Sequence, residues 1–222
     1  GIVSGGSRGL GLALTRALVD RGWRIVVDAR DGEALAQAWP DAPQDVLIPG
    51  DVADAEHRRA LVEAAGEPID LLVNNASLLG PSPLPSLERY PLDELRRVYE
   101  VNMLAPLALV QLALPRLAEG ARIINVVSDA AFEAYEGWGG YGSSKAALAQ
   151  LSAVLAVEHP GLRVYAVDPG DMRTQMQQDG FPGEDISDRP PPEESVPGLL
   201  ALIEGDLPSG SYRARELVEV SA

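Results

Sequence analysis

The 222-residue sequence predicts an α/β fold, a single doubly wound parallel sheet of about seven strands with helices on both faces. Three observations carry this. Short runs rich in Val, Ile and Leu alternate with segments of helical periodicity along the chain. The first such run passes directly through Gly5-Gly6-Ser7-Arg8-Gly9-Leu10-Gly11 into a helix, the context that a phosphate-binding turn requires. The polar motifs described below fall at the ends of the later apolar runs.

Residues 1–4 read as the end of a strand, short at its front, as though the native chain begins before Gly1. Leu10, Leu12, Leu14, Ala17 and Leu18 continue with helical spacing as far as Gly22. Residues 23–27 form the second strand, running into Asp28-Ala29-Arg30-Asp31, and 32–39 the next helix. Residues 46–48 are a third strand, followed by Gly50-Asp51-Val52 and a helix over 54–65. Residues 69–73 are a fourth, ending in Asn74-Asn75-Ala76-Ser77. A proline-punctuated loop covers 80–91, and 92–117 is helical, bent or divided at Pro106 and Pro115. Gly120 ends it before the strand at 122–127. A helix from Tyr141 to about His159, a sixth strand at 163–167, a short helix at 199–203 and a last strand at 211–220 complete the order. Residues 172–197 have no clear periodicity and read either as a mobile surface loop or as a lid over a substrate pocket. No linker divides 1–222, so one domain is expected.

Composition narrows the chemistry. With no cysteine there is no disulfide, thiol catalysis or cysteine-ligated metal, and no metal site is expected. A net charge of −15 gives a global negative field, which excludes nucleic acid and anionic membranes as partners. No uninterrupted apolar run is long enough to span a bilayer, and no signal-peptide pattern opens the chain; a cytoplasmic location is expected. The two histidines, His57 and His159, lie among helix-like residues and read as structural, which leaves a Ser-His-Asp hydrolase little to work with.

The region around which these motifs converge is 122–145. Its apolar run delivers Ser128 to a strand end, and Tyr141 and Lys145 follow at i and i+4 of a helix, on one face. An ammonium near a phenol favours the phenolate, so the Tyr141 pKa is expected to fall. Of the 18 basic residues 17 are arginine, so whatever replaced lysine elsewhere spared Lys145. A compact, rotatable ammonium differs in kind from a planar fork that keeps its proton.

Together these residues resemble the classical short-chain dehydrogenase/reductase family, over essentially the whole chain. Gly5-x-x-x-Gly9-Leu10-Gly11 is similar to that family's cofactor turn, and Asn74-Asn75-Ala76-Ser77 to its Asn-Asn-Ala-Gly. Asn102, Ser128 and Tyr141-x-x-x-Lys145 fall where its catalytic tetrad lies, and Pro169-Gly170 resembles its Pro-Gly after the sixth strand. The resemblance implies a Rossmann-like NAD(P)-binding domain that moves hydride between nicotinamide and a small carbonyl or alcohol substrate. Tyr141 would pass the proton and Ser128 would orient the substrate oxygen. Lys145 would bind the nicotinamide ribose and depress the tyrosine pKa, and Asn102 would hold a water linking Lys145 to solvent. Gly5, Ser7, Arg8, Gly9, Leu10 and Gly11 would cradle the pyrophosphate, with Asp51 and Val52 at the adenine. Asn75, Ala76 and Ser77 would line the cofactor site, and Thr174, after Pro169-Gly170, would meet the carboxamide.

In that family an acid at the end of the second strand accepts from the adenosine ribose of NAD. Here that position is Ala29, beside Arg30 and with Arg8 in the turn, a pair of guanidiniums suited to a 2′-phosphate. NADP(H) is therefore expected over NAD(H), unless a register shift makes Asp28 the ribose acceptor. The C-terminal segment lacks the family's Val-Asp-Gly-Gly ending, which leaves a homodimer through 92–118 and 142–158 as the alternative to a homotetramer. Phe132, Tyr135 and Trp138 are candidates to line the substrate pocket, with core packing as the alternative. Two other functions stay open: a non-catalytic NADP-sensing protein, against which the intact Ser128, Tyr141 and Lys145 speak, and a dehydratase or epimerase on the same fold.

Overall fold

Neighbouring side chains of a strand point to opposite faces, so consecutive apolar residues bury both sides of a sheet. A computed structural model describes residues 1–43 and 46–219. Its strands are β1 (Ile2–Val3), β2 (Val26–Ala29), β3 (Leu47–Pro49), β4 (Ile69–Asn74), β5 (Leu117–Val126), β6 (Arg163–Asp168) and β7 (Gly210–Arg213). They form one sheet of order β3-β2-β1-β4-β5-β6-β7, and every neighbouring pair is parallel. Val3, Val27, Val73, Ile124 and Tyr165 enter one core layer, with Leu14 and Leu18 of helix α1 (Gly9–Val19), Leu35 of α2 (Gly32–Ala38) and Leu199 and Ile203 of α8 (Val196–Glu204). Ile2, Val26, Leu72, Ile123 and Val164 enter the other. There they meet Leu61 of α3 (Ala55–Ala65), Leu109 of α5 (Ala105–Ala113) and Leu155 of α6 (Gly139–Glu158). The winding reverses between β1 and β4, and ligands in such sheets bind beyond the strand ends at that switch.

The helical run after the proline loop is divided, as its composition predicts. It consists of α4 (Leu92–Tyr99), a π-turn over Glu100–Leu104, α5 and a 3-10 turn over Leu114–Arg116. Leu92–Arg116 is long and apolar enough to cross a membrane by length and composition, though charged residues interrupt it. Val98, Val101, Ala105, Leu109, Val110 and Ala113 are instead buried in the protein's own core.

Four boundaries also differ. β2 runs on to Ala29, placing Asp28 inside the sheet. β5 starts at Leu117, because Gly120, at φ 72°, lets the strand bulge: Ile69 pairs with Leu117, and Leu71 already with Arg122. The aperiodic segment is ordered locally into α7 (Gln175–Gly180) and a 3-10 turn over Pro192–Ser195. The expected last strand is only β7, followed by helix α9 (Ala214–Glu219). Ala214 is fully buried, its carbonyl so close to Gly198 that a Cβ there would lie 1.8 Å from it. That docking turns the chain out of the sheet; Val220, in the predicted strand, lies outside the described residues.

Candidate active site

The glycine turn is held from three sides. Asp28 accepts the Gly5 amide at 2.6 Å on Oδ1, and its carbonyl accepts the Gly6 amide at 2.8 Å. Asn75 Nδ2 donates to the carbonyls of Ser4 (2.8 Å) and Gly5 (3.1 Å), while Ser4 Oγ accepts from the amides of Asn75 and Ala76. Gly5 sits at φ 74° and Gly9 at φ 56°, where a side chain is strained. A Cβ on Gly11 would lie 2.2 Å from the Gly5 carbonyl, so the strand-to-helix approach requires glycine there. At the start of α1 no side chain caps the helix and no acid occupies its first turn. The leading N–H groups are thereby left for an anion.

Beyond the turn lies a cavity of about 1280 Å³. Of the predicted catalytic and cofactor-binding residues all line it except Gly11, which shapes the turn, and Asn102, which lies behind the wall. At one end stand Arg8, Ala29, Arg30, Asp51 and Val52. Asp28 also faces this end, but both its oxygens are taken: Oδ2 lies 2.9 Å from Nε2 of the buried His57. The acid at the end of β2 is therefore part of the turn's scaffold. The structural reading of His57 stands.

At the other end are Ser128, Tyr141 and Lys145. Ser128 follows β5 and opens a 3-10 turn, its Oγ accepting from the Ala130 amide at 3.2 Å and donating to Asp129 Oδ1 at 2.8 Å. Tyr141 is the third residue of α6, and Lys145 lies one turn on, its Nζ 5.6 Å from the phenol ring centroid. Lys145 is 1% exposed and donates to the Val126 carbonyl at 2.7 Å. A Cβ on Gly142 would lie 2.5 Å from the Ala130 carbonyl, so its absence lets α6 dock against the turn that follows Ser128.

The electrostatics correct one expectation. Burial pushes the Tyr141 phenol above its ordinary range; the neighbouring hydroxyls of Ser77 and Ser128 pull it down, and the charges of Asp168 and Asp129 push it up. Burial also lowers Lys145 to about 7, which removes much of the ammonium meant to favour the phenolate. Within this protein alone Tyr141 keeps its proton at neutral pH.

Asn102 lies behind this pair, fixed by its side chain. Its amide donates to the Leu78 carbonyl (2.9 Å) and Ser144 Oγ (3.0 Å), and its Oδ1 accepts from the Leu78 amide (2.8 Å) and Ser77 Oγ (3.2 Å). That side chain ties the 77–78 loop to α6 and is not free to hold a water. Pro106, four residues on, has no N–H to give the Asn102 main-chain carbonyl.

Trp138 and Tyr135 line the cavity, whereas Phe132 is 61% exposed and does not. Trp138 packs edge-on against Tyr141 at 5.8 Å and against Phe181 at 5.6 Å. Thr174 lines the cavity and caps α7, accepting from the Gln177 amide at 3.3 Å. Sequence reasoning did not single out Asp129, Asp168 or Phe181 individually, and all three line the cavity. Asp129 and Asp168 directly adjoin motif residues and were legible as such; Phe181, in an aperiodic stretch, carried no signal. Among the described residues no cluster of His, Asp or Glu is built to hold a metal ion.

The chain is similar to known proteins along most of its length. The family model for short chain dehydrogenases matches residues 2–185. L-fucose dehydrogenase of Mus musculus is 33% identical over 188 residues, covering 80% of this chain and 67% of that protein. The rhamnolipids biosynthesis 3-oxoacyl-[acyl-carrier-protein] reductase of Pseudomonas aeruginosa is 36% identical over 193 residues, 79% of this chain and 73% of that one. A short chain dehydrogenase of Shigella flexneri, solved complexed with NADP, superposes with a TM-score of 0.87 at 26% identity, covering 96% of this chain and 95% of that chain. By the family model and by these relatives, this chain belongs to the short-chain dehydrogenase family of oxidoreductases.

Proposed function

We propose that this oxidoreductase interconverts a small-molecule carbonyl compound and its alcohol with NADP(H), using Tyr141 as the group that gives or takes the proton. The observation that carries this reading is the arrangement of one cavity. Ser128, Tyr141 and Lys145 meet at one end, while Arg8, Arg30 and the uncapped start of α1 stand at the other.

The residues present fit the dinucleotide. The glycine turn leaves room for a pyrophosphate against backbone amides. Two guanidiniums on a chain of net charge −15 suit the 2′-phosphate, and Asp28 is already engaged by the Gly5 amide and His57. The bound nicotinamide supplies or accepts the hydride. Tyr141, protonated at neutral pH, donates its proton to the carbonyl oxygen as that oxygen gains charge. Ser128 orients the same oxygen once its hydrogen leaves Asp129. Lys145 refills the phenol, and the Asn102 carbonyl holds a water that passes protons from solvent to Lys145. Residues 172–197 act as a lid: Thr174 and Phe181 already reach the cavity, and Phe181 meets Trp138. An apolar substrate face is supported by Trp138, Phe181 and Met176. Exposed Leu104, Val154 and Val157 support a homodimer through 92–118 and 142–158.

The test mixes the protein with NADPH and a panel of aldehydes, ketones and diketones and follows loss of nicotinamide absorbance. Turnover of at least one carbonyl is expected. Tight NADPH binding without turnover of any would favour a sensor and overturn the catalytic reading.

A further inference from the structure

We infer that His57 is a specificity-determining residue for the cofactor, acting by withdrawing the Asp28 carboxylate from the adenosine end of the cavity; this rests on the NADP(H) reading above. Asp28 lies in β2 one position before Ala29, and it lines the cavity. A carboxylate at this strand end can accept ribose hydroxyls, and it repels a 2′-phosphate. Here it is 1% exposed, with Oδ1 on the Gly5 amide at 2.6 Å and Oδ2 on His57 Nε2 at 2.9 Å.

The seat for His57 is built by three separate elements. The imidazole comes from the first turn of α3 and reaches across to β2. It fits because residue 50, just after β3, is glycine; a Cβ there would lie 2.3 Å from His57 Nδ1. The turn itself needs only Oδ1, which the Gly5 amide occupies. What His57 adds is a donor for Oδ2, the oxygen that would otherwise be buried without a partner. Without that donor the least costly remedy is rotation of the carboxylate toward the cavity, where ribose hydroxyls can satisfy it and a 2′-phosphate cannot.

Equilibrium titration of NADPH and NADH, followed by nicotinamide fluorescence, tests this apart from activity. Wild-type protein binding NADH more tightly would defeat the NADP(H) reading itself. Given wild-type preference for NADPH, His57→Ala is expected to lower the ratio of NADPH to NADH affinity by about tenfold or more, since losing a charge-assisted contact and gaining a repulsion each act at this end. Equal weakening of both cofactors would mean His57 only props the turn, and would overturn the inference. Should His57→Ala not fold, Asp28→Asn decides. Its amide oxygen still accepts from Gly5, so the ratio should stay within about twofold of wild type. A selective loss of NADH binding would show Asp28 reading the ribose, and would overturn the inference equally.

Discussion

Tyr141 and Lys145 lie one helical turn apart, yet burial acts on them in opposite senses, raising the phenol and lowering the ammonium. Their spacing was legible in the sequence; their titration was not, because it depends on how much of the tertiary structure closes over them. A phenol that keeps its proton at neutral pH is in the form that can donate it. The same limit applied to Asp28. Adjacency to Ala29 made it a rival ribose ligand, and only the fold revealed that Gly5 and His57 occupy both its oxygens. Arg30 is exposed at the cavity's edge and has no comparable structural task among the described hydrogen bonds. Arg30→Ala should therefore weaken NADPH binding about 10- to 100-fold, the scale of a lost charge-assisted contact, and leave NADH nearly unchanged. Equal losses in paired titrations would remove Arg30 from 2′-phosphate recognition.

Strands were easiest to read, because pairs such as Val26-Val27, Ile123-Ile124 and Val164-Tyr165 feed both faces of a covered sheet. Most helices with buried stripes were equally plain. The misplaced boundaries occur where tertiary contacts decide: Gly120 bulging β5, Ala214 docking on Gly198, and Thr174 capping α7 in a segment without periodicity. Gly142 shows how closely the elements that hold the site approach one another. Placing a methyl 2.5 Å from the Ala130 carbonyl forces α6 away from the turn after Ser128. Gly142→Ala should cost about 1–3 kcal/mol of stability and lower kcat more than cofactor affinity, because it parts Tyr141 from Ser128. Urea unfolding and steady-state kinetics on the one variant check both. Unchanged stability would mean that the two elements have room to part.

Across the whole molecule, one sheet wound outward from β1 brings all the strand-end motifs to a single edge, which is why motifs scattered from Gly5 to Thr174 line one cavity. The substrate was not legible, since its walls come from loops whose residues obey no period. The fold also bears a cost for its site. Burial lowers Lys145 from 10.5 to about 7, so the unfolded chain binds the extra proton more readily. The penalty is full below about pH 7, shrinks as pH rises, and is gone above about pH 10.5. Lys145→Met removes the charge for the loss of one hydrogen bond to Val126, worth about 1 kcal/mol. At pH 6 it should raise Tm by about 3–8 °C while abolishing turnover, with the gain fading toward pH 10. A variant less stable than wild type at pH 6 would contradict the cost assigned to that burial.

The measurement that bears most directly on the mechanism is single-turnover oxidation of bound NADPH by a carbonyl substrate, in wild type and in Tyr141→Phe. The variant should bind NADPH as wild type does and transfer hydride about 10²- to 10⁴-fold more slowly, the contribution of a positioned proton donor. Hydride transfer at the wild-type rate in Tyr141→Phe would show that the phenol is not the proton donor.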